Sequence, residues 1–150
     1  GRFVDGPPAL QFASQDAVRR LREDLPSDRI WWVSAVDPCS PCGLGFAAWG
    51  DRLPRRVPGN HLVFHGYRLV MVSERRGVRL QVDVSPDHPH VRDYLRVLEV
   101  LLTRPVDPVR SLMVETVNAE PATTGPWRDA FESRFHVTRT PTGLRLDRRY

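Results

Sequence analysis

The 150-residue sequence contains no lysine, and all 22 of its basic residues are arginine. A phosphate-binding P-loop needs the lysine of the G-x-x-x-x-G-K-[ST] motif to reach the phosphates, so this chain cannot supply one. The bias is typical of a GC-rich genome, and arginine forks also suit phosphate oxygens and stack on bases. The formal net charge of +4 is a mild excess that would assist binding to phosphates.

Cysteine is scarce, with two residues, and no apolar run approaches the length of a membrane span. Two cysteines cannot form a disulfide framework, which favours a reducing environment. We therefore expect a cytoplasmic protein without a membrane partner. The sequence begins at Gly1 rather than at a methionine, so we expect a piece of a longer protein. Its length, with 41% hydrophobic and 27% charged residues, predicts one globular domain over 1–150.

The spacing of apolar and turn-forming residues predicts an α+β fold. Helices are expected over 15–25 with Ser14 as N-cap, over 88–103 with Asp87 as N-cap, and just after Pro126. Extended segments are expected at 2–4, 10–12, 30–36, 61–84 (a three-stranded meander), 111–118 and 136–146 (a hairpin). Because strands outnumber helices and short turns join them, we expect an antiparallel, partly barrel-like sheet with two or three packed helices.

The motif D-P-C-S-P-C-G at 37–43 holds both cysteines. Three interpretations of this motif are open: half of a zinc site, a redox couple, or a turn whose thiols are incidental. Zinc would need two further ligands, and His61 and His65, which have suitable spacing, share no reliable face in a predicted strand and turn. A redox couple would need a helix after the motif, and none is predicted. We favour a turn with incidental thiols and expect both cysteines to be replaceable with little effect on folding.

No arrangement of residues in the sequence is typical of an active site. The H-P-H motif at 88–90 is read as a solvated first turn of a helix, and no G-x-S-x-G nucleophile elbow occurs. Glu23 and Asp24 are adjacent on a helix surface and point apart. We therefore predict no catalytic residue, no metal and no cofactor in this chain. An independent metal enzyme using the cysteines and a histidine is a further alternative.

Arginines cluster where side chains are free to project. Five of them lie in a proline-bounded loop and at a hairpin tip, and they are the predicted nucleic-acid-binding residues: Arg52, Arg55, Arg56, Arg75 and Arg76. Arginine-bearing hairpins beside aromatic residues are common on sheets that bind nucleic acids, where the backbone charge supplies affinity. A solvated surface is the alternative for each cluster taken alone.

Four segments in order resemble the C-terminal region of the large helicase-related (Lhr) family of superfamily 2 ATP-dependent DEAD/DEAH-type helicases. They are GRFVDGPPALQFASQDAVRRLRE at 1–23, SAVDPCSPCG at 34–43, RLPRRVPGNHLVFHGYRLVMVSERRGVRL at 52–80 and VNAEPATTGPWRDAFESRFHVTRTPTGLRL at 117–146. The family usually has other residues where Cys39 and Cys42 stand, and keeps the prolines and the glycine of that turn. Ala119 departs from the family, which has glycine after the asparagine.

The resemblance implies that 1–150 is a non-catalytic accessory module of a larger DNA repair helicase. The parent would bind ATP and Mg²⁺ in its RecA-like motor domains, hydrolyse ATP, and translocate on single-stranded DNA or unwind RNA–DNA hybrids. The module would contact the RecA-like and winged-helix domains and help to hold or guide the single strand. The alternative is a structural or protein-docking module that braces the motor domains without touching nucleic acid.

Overall fold

The computed structural model describes residues 12–23 and 26–149. The helices are α1 (Gln15–Leu21), α2 (Val91–Tyr94), α3 (Arg96–Thr103) and α4 (Arg128–Glu132), and a 3₁₀ segment covers Ala47–Arg52. The strands are β1 (Ile30–Ser34), β2 (His61–His65), β3 (Arg68–Glu74), β4 (Arg79–Val82), β5 (Ser111–Val114), β6 (Thr116–Val117), β7 (Glu120–Pro121), β8 (Phe135–Arg139) and β9 (Leu144–Arg148). This mixture confirms the α+β class. The extended pieces predicted at 2–4 and 10–12 lie outside the described residues, except for Phe12.

The strands form two open sheets rather than one partly barrel-like sheet. The first sheet has the order β1-β2-β3-β4-β6-β7, and the second has the order β5-β9-β8. Neighbouring strands are antiparallel, except that β4 and β6 pair in parallel. The predicted meander and the predicted C-terminal hairpin are both present. Over residues 12–23 and 26–149, neither sheet closes into a barrel.

The single strand predicted at 111–118 divides at Glu115 between the two sheets. Residues before it pair with β9, and residues after it pair with β4. Asn118 continues the parallel pairing through its side chain, since its Oδ1 accepts from the Val82 amide at 2.7 Å and its Nδ2 donates to the Val82 carbonyl at 3.0 Å. Asn118 and Ala119 have φ angles of 52° and 66°, so the tight turn keeps its left-handed geometry without the glycine.

Both faces of the first sheet are covered at its central strands β2 and β3. A register shift between Val63 and Phe64 leaves Val70 as an extra residue opposite β2, so Val70 and its neighbour Met71 both join the larger core. This core also holds α2, α3, α4 and the inner face of the second sheet. On the opposite face, Phe64 and other residues form a smaller core under the 37–60 segment. The 37–60 segment is therefore a cover for this face of β2 and β3.

The predicted helices are present with two changes of bounds: α1 ends at Leu21 instead of 25, and the helix predicted from 88 begins later. The Ser14 side chain caps α1 by accepting from the Ala17 amide at 3.1 Å, as predicted. The helix predicted from 88 begins at Val91, has no side-chain cap, and divides at Leu95, so the prediction that Asp87 caps it is wrong. The apolar stripe of α3 is buried. Among the described residues, no helix is both long and apolar enough to cross a membrane.

The short helix α4 closes the larger core. Trp127, Ala130 and Phe131 are buried. Arg134, just after α4, donates to the Glu99 carboxylate of α3 at 2.9 Å, and to the Arg92 carbonyl at 3.1 Å. Because the Arg134 side chain is largely buried, this ion pair helps to fix α4 against α2 and α3 and is not a solvated surface pair.

Candidate nucleic-acid interface

The proline-bounded motif at 37–43 forms the predicted turn. The Asp37 side chain accepts from the Cys39 amide, two residues on, at 2.8 Å, and the Asp37 carbonyl accepts from the Ser40 amide at 2.9 Å. Gly43 has a φ of 80°, in the left-handed region that glycine adopts without steric cost. Arg56 donates to the Asp37 carbonyl at 3.2 Å, so the turn is also tied to the arginine loop.

The two cysteines have different environments. Cys39 is exposed, whereas Cys42 is fully buried in the smaller core beside residues such as Leu62. The interpretation of both thiols as incidental substituents is therefore wrong for Cys42, because truncating it would leave a gap in a packed core. In the described part of the chain, no group of three or more histidine, cysteine or acidic side chains is placed to hold a metal.

A buried asparagine joins the two predicted arginine clusters. Asn60 is 3% exposed. Its Oδ1 accepts from the Arg75 amide at 2.9 Å, while its Nδ2 donates to the Arg55 carbonyl at 3.0 Å. The Arg76 amide donates to the Gly59 carbonyl at 2.8 Å, which adds a second link. The loop after the 3₁₀ segment is thereby fastened to the tip of the β3–β4 hairpin.

The hairpin tip holds an uncommon backbone conformation. Arg75 and Arg76 have φ angles of 54° and 59°, in the left-handed region that residues other than glycine rarely adopt. Such conformations persist only where surrounding contacts determine them, and they concentrate at functional sites. Here the contacts from Asn60 and Gly59 determine them. Both arginine side chains are exposed as a result.

The five predicted arginines differ in whether a carboxylate neutralises them. Arg76 lies 3.4 Å from the Asp107 carboxylate, which also binds Arg104. Among the described residues, Arg56 binds a backbone carbonyl and no carboxylate, so none of them cancels its charge. The Arg55 and Arg75 side chains have no ion pair or hydrogen bond with any residue in 12–23 or 26–149. These two are therefore the most available cations of the predicted set.

Arg52 does not belong to this group. Its guanidinium donates to the Leu69 carbonyl at 2.8 Å and lies 3.4 Å from the Asp83 carboxylate. Leu69 is near the start of β3, whereas Arg75 follows its end, so about 20 Å of extended strand separates the two positions. Arg68 donates to the same Asp83 carboxylate at 3.1 Å. Arg52 therefore holds the 3₁₀ segment against the sheet.

His61 follows Asn60 at the start of β2 and is buried. Burial, with a smaller contribution from the charge of Arg104, lowers the pKa of His61 from its ordinary value of 6.5, while a hydrogen bond with the Gly59 backbone acts in the opposite direction. Its Nδ1 has no hydrogen-bond partner among the described residues. The folded protein therefore keeps this imidazole neutral at pH values where the unfolded chain protonates it.

We expect the stability of the protein to fall as the pH drops below about 6.5. Above that pH, His61 is neutral in both the folded and the unfolded state. Below it, the unfolded state binds a proton at His61 and the folded state does not. The free energy of unfolding therefore falls by up to about 1.4 kcal/mol per pH unit until the lowered pKa is reached. Chemical denaturation between pH 7.5 and 5 measures this loss. His61→Gln should flatten the curve, whereas the control His136→Gln, at an exposed site, should leave the slope unchanged. Parallel curves for wild type and His61→Gln would contradict the assignment.

Three of the other four histidines, His65, His88 and His90, gather around a buried tyrosine. The Nδ1 of His65 lies 2.7 Å from the Tyr94 hydroxyl, and the rings of His88 and His90 lie 5.4 and 6.4 Å from the Tyr94 ring. Burial raises the pKa of Tyr94, so its hydroxyl stays protonated and can donate to His65. His88 and His90 precede α2 rather than forming its first turn.

Sequence reasoning missed the residues that join the Arg55 loop to the hairpin tip at Arg75 and Arg76. Asn60 acts across 15 positions of sequence, and Asp107 reaches Arg76 across 31. Neither stands in a motif that would single it out. The geometry is that of a basic edge built from one loop and one hairpin tip. No protein-family model matches the chain, and a search of curated proteins finds no significant match.

Proposed function

We propose that this chain is a non-catalytic accessory module that helps to hold single-stranded nucleic acid, as the resemblance to the C-terminal region of Lhr-type helicases implies. The observation that carries the proposal is the link that Asn60 makes between the Arg55 loop and the Arg75 hairpin tip. It brings together two exposed cations that no carboxylate in the described residues neutralises. Exposed arginines of this kind bind phosphates and release counterions.

The backbone of the tip supports the same function. Two consecutive arginines in the left-handed region would be expected to cost roughly 1–3 kcal/mol each. A glycine would remove that cost, but it would also remove the cation. An edge that retains strained arginines is therefore more consistent with phosphate binding than with a solvated surface.

In this proposal the ATPase chemistry lies in the parent helicase. ATP and Mg²⁺ would bind its RecA-like domains, and this chain would lie against those domains and the winged-helix domain in the cytoplasm. Its partner would be single-stranded DNA or the single strand next to an RNA–DNA hybrid. The role of this chain would be to keep the strand on a defined path rather than to react with it.

The test is the salt dependence of binding to a single-stranded oligonucleotide. The variant Arg55→Ala/Arg75→Ala should bind more weakly, and the slope of log affinity against log salt should become shallower by about 1.4 if each arginine neutralises one phosphate. Thermal stability should hardly change, because neither side chain makes an ion pair in the described structure.

A matched control removes the same charge elsewhere. Arg92→Ala/Arg139→Ala also deletes two exposed arginines, on α2 and β8, away from the hairpin tip. This variant should keep the wild-type slope. If both double variants lose the same slope, the effect is one of net charge and the edge is not a site. If the wild-type chain binds no oligonucleotide at low salt, the module that braces motor domains becomes the better proposal.

A further inference from the structure

An aromatic pocket of about 310 Å³ opens on the first sheet, on the side of the smaller core. Its rings come from β1, β2, the β2–β3 turn and the 3₁₀ region: Trp31, Phe64, Tyr67, Phe46 and Trp49. That volume is at the small end of ligand pockets, which hold roughly 300–1,000 Å³. No acidic side chain of the described residues lines it. It is suited to one flat, uncharged ring.

Three rings of the pocket, those of Trp31, Phe64 and Trp49, are held in place by one another. Trp31 stacks on Phe64 with ring centroids 4.3 Å apart, and Trp49 meets Phe64 edge-on at 5.9 Å. The indole nitrogen of Trp31 donates to the Gly66 carbonyl at 2.9 Å, which fixes the orientation of the indole. Trp31 nevertheless remains 40% exposed, and Tyr67 at the rim is 58% exposed. An exposed ring that is already ordered, as that of Trp31 is, loses little entropy when it stacks on a ligand.

A continuous series of contacts connects the pocket to the basic edge. Cys39 and Pro41 line the pocket, and they belong to the turn whose Asp37 carbonyl accepts from Arg56. Arg56 follows Arg55, whose carbonyl is bound by Asn60. Arg56 therefore stands, in this series of contacts, between the pocket and the pair Arg55 and Arg75. The arginines favour a polyanion, and the uncharged aromatic pocket favours one that also carries flat, uncharged rings.

We propose that this pocket receives one unstacked base of the single strand, between Trp31 and Tyr67. The inference rests on the proposed function and adds to it the part of the ligand that is recognised. Stacking on aromatic side chains is tolerant of sequence, since every base has a π-face. DNA and RNA share this chemistry, so both are used in the test.

The experiment measures binding of the 150-residue chain to ten-nucleotide oligo(dT), oligo(U) and an abasic strand of equal length and charge. Wild type should prefer strands with bases to the abasic strand. Tyr67→Ala should weaken binding of oligo(dT) or oligo(U) by about 5- to 150-fold, the range for loss of one stacked base, and should hardly change binding of the abasic strand. Tyr67→Phe keeps the ring and should bind like wild type.

Trp32→Ala is the control, because Trp32 is an exposed aromatic residue, 40% exposed like Trp31, that does not line this pocket. It should bind all three strands like wild type. The inference is overturned if Tyr67→Ala binds oligo(dT) and oligo(U) like wild type, or if Trp32→Ala is the variant that loses the preference for bases. If either of these outcomes is found while Arg55→Ala/Arg75→Ala still shows a shallower salt slope than wild type, the pocket is not a base site but the proposed function is still supported. Absence of binding by wild type at low salt would overturn both.

Discussion

Replacing Phe131 with alanine is expected to lower the free energy of unfolding by about 3–5 kcal/mol. Phe131 is 0% exposed and lies in the larger core between α4 and the two sheets. Its removal deletes buried apolar surface and leaves a cavity that the antiparallel β8–β9 pair is too well ordered to fill. Because a domain of this size is typically stable by only 5–15 kcal/mol, the loss would be a large fraction of the total.

Phe12→Ala is the matched control for this experiment. The chemical change is the same, but Phe12 is 92% exposed, so its truncation should change the stability by less than about 0.5 kcal/mol. Urea denaturation of the two variants beside wild type gives both numbers. A loss for Phe131→Ala close to that for Phe12→Ala would mean that α4 does not pack in the core.

Gly143→Ala is expected to cost about 3 kcal/mol, because a methyl group has no room at this position. A Cβ on Gly143 would lie 2.3 Å from the Val114 carbonyl oxygen, which is well inside van der Waals contact. Val114 pairs with Leu144 in the second sheet, so the backbone cannot yield without loosening the β5–β9 ladder. Overpacking of this kind typically costs 1–3 kcal/mol and occasionally more.

Gly125→Ala distinguishes this clash from a general effect of losing glycine. A Cβ on Gly125 would meet its nearest neighbour, the Pro121 carbonyl oxygen, at 3.5 Å, an ordinary contact. Its variant should stay within about 1 kcal/mol of wild type. Thermal denaturation followed by circular dichroism measures both. Equal midpoints for the two variants would show that the second sheet accommodates the methyl group and that the close approach is not a constraint.

Sequence patterns predicted the candidate site only in part. Arg55, Arg56, Arg75 and Arg76 were identifiable because prolines and a glycine bound the segments that carry them. The pattern could not indicate that Arg52 forms an ion pair with Asp83, or that Arg76 forms one with Asp107. Ion pairs of this kind depend on which loops meet in space, and spacing along the chain carries no information about that.

By itself, the sequence determined those features that depend on neighbouring residues. These include the Asp37 turn, the Ser14 cap and the meander. Each of them follows from φ preferences, short-range hydrogen bonds or a repeat of apolar side chains along one element. They can be read from a window of a few residues.

Only the tertiary structure decided how the elements combine. It divided the apolar run at Glu115 between two sheets, because one half completes the second sheet while the other pairs with β4. It also buried Asn60, whose amide satisfies backbone groups of two segments that are 20 residues apart in sequence, and so created the basic edge. A buried polar group must find its partners wherever the fold provides them. That requirement acts through space, and the order of residues does not reveal it.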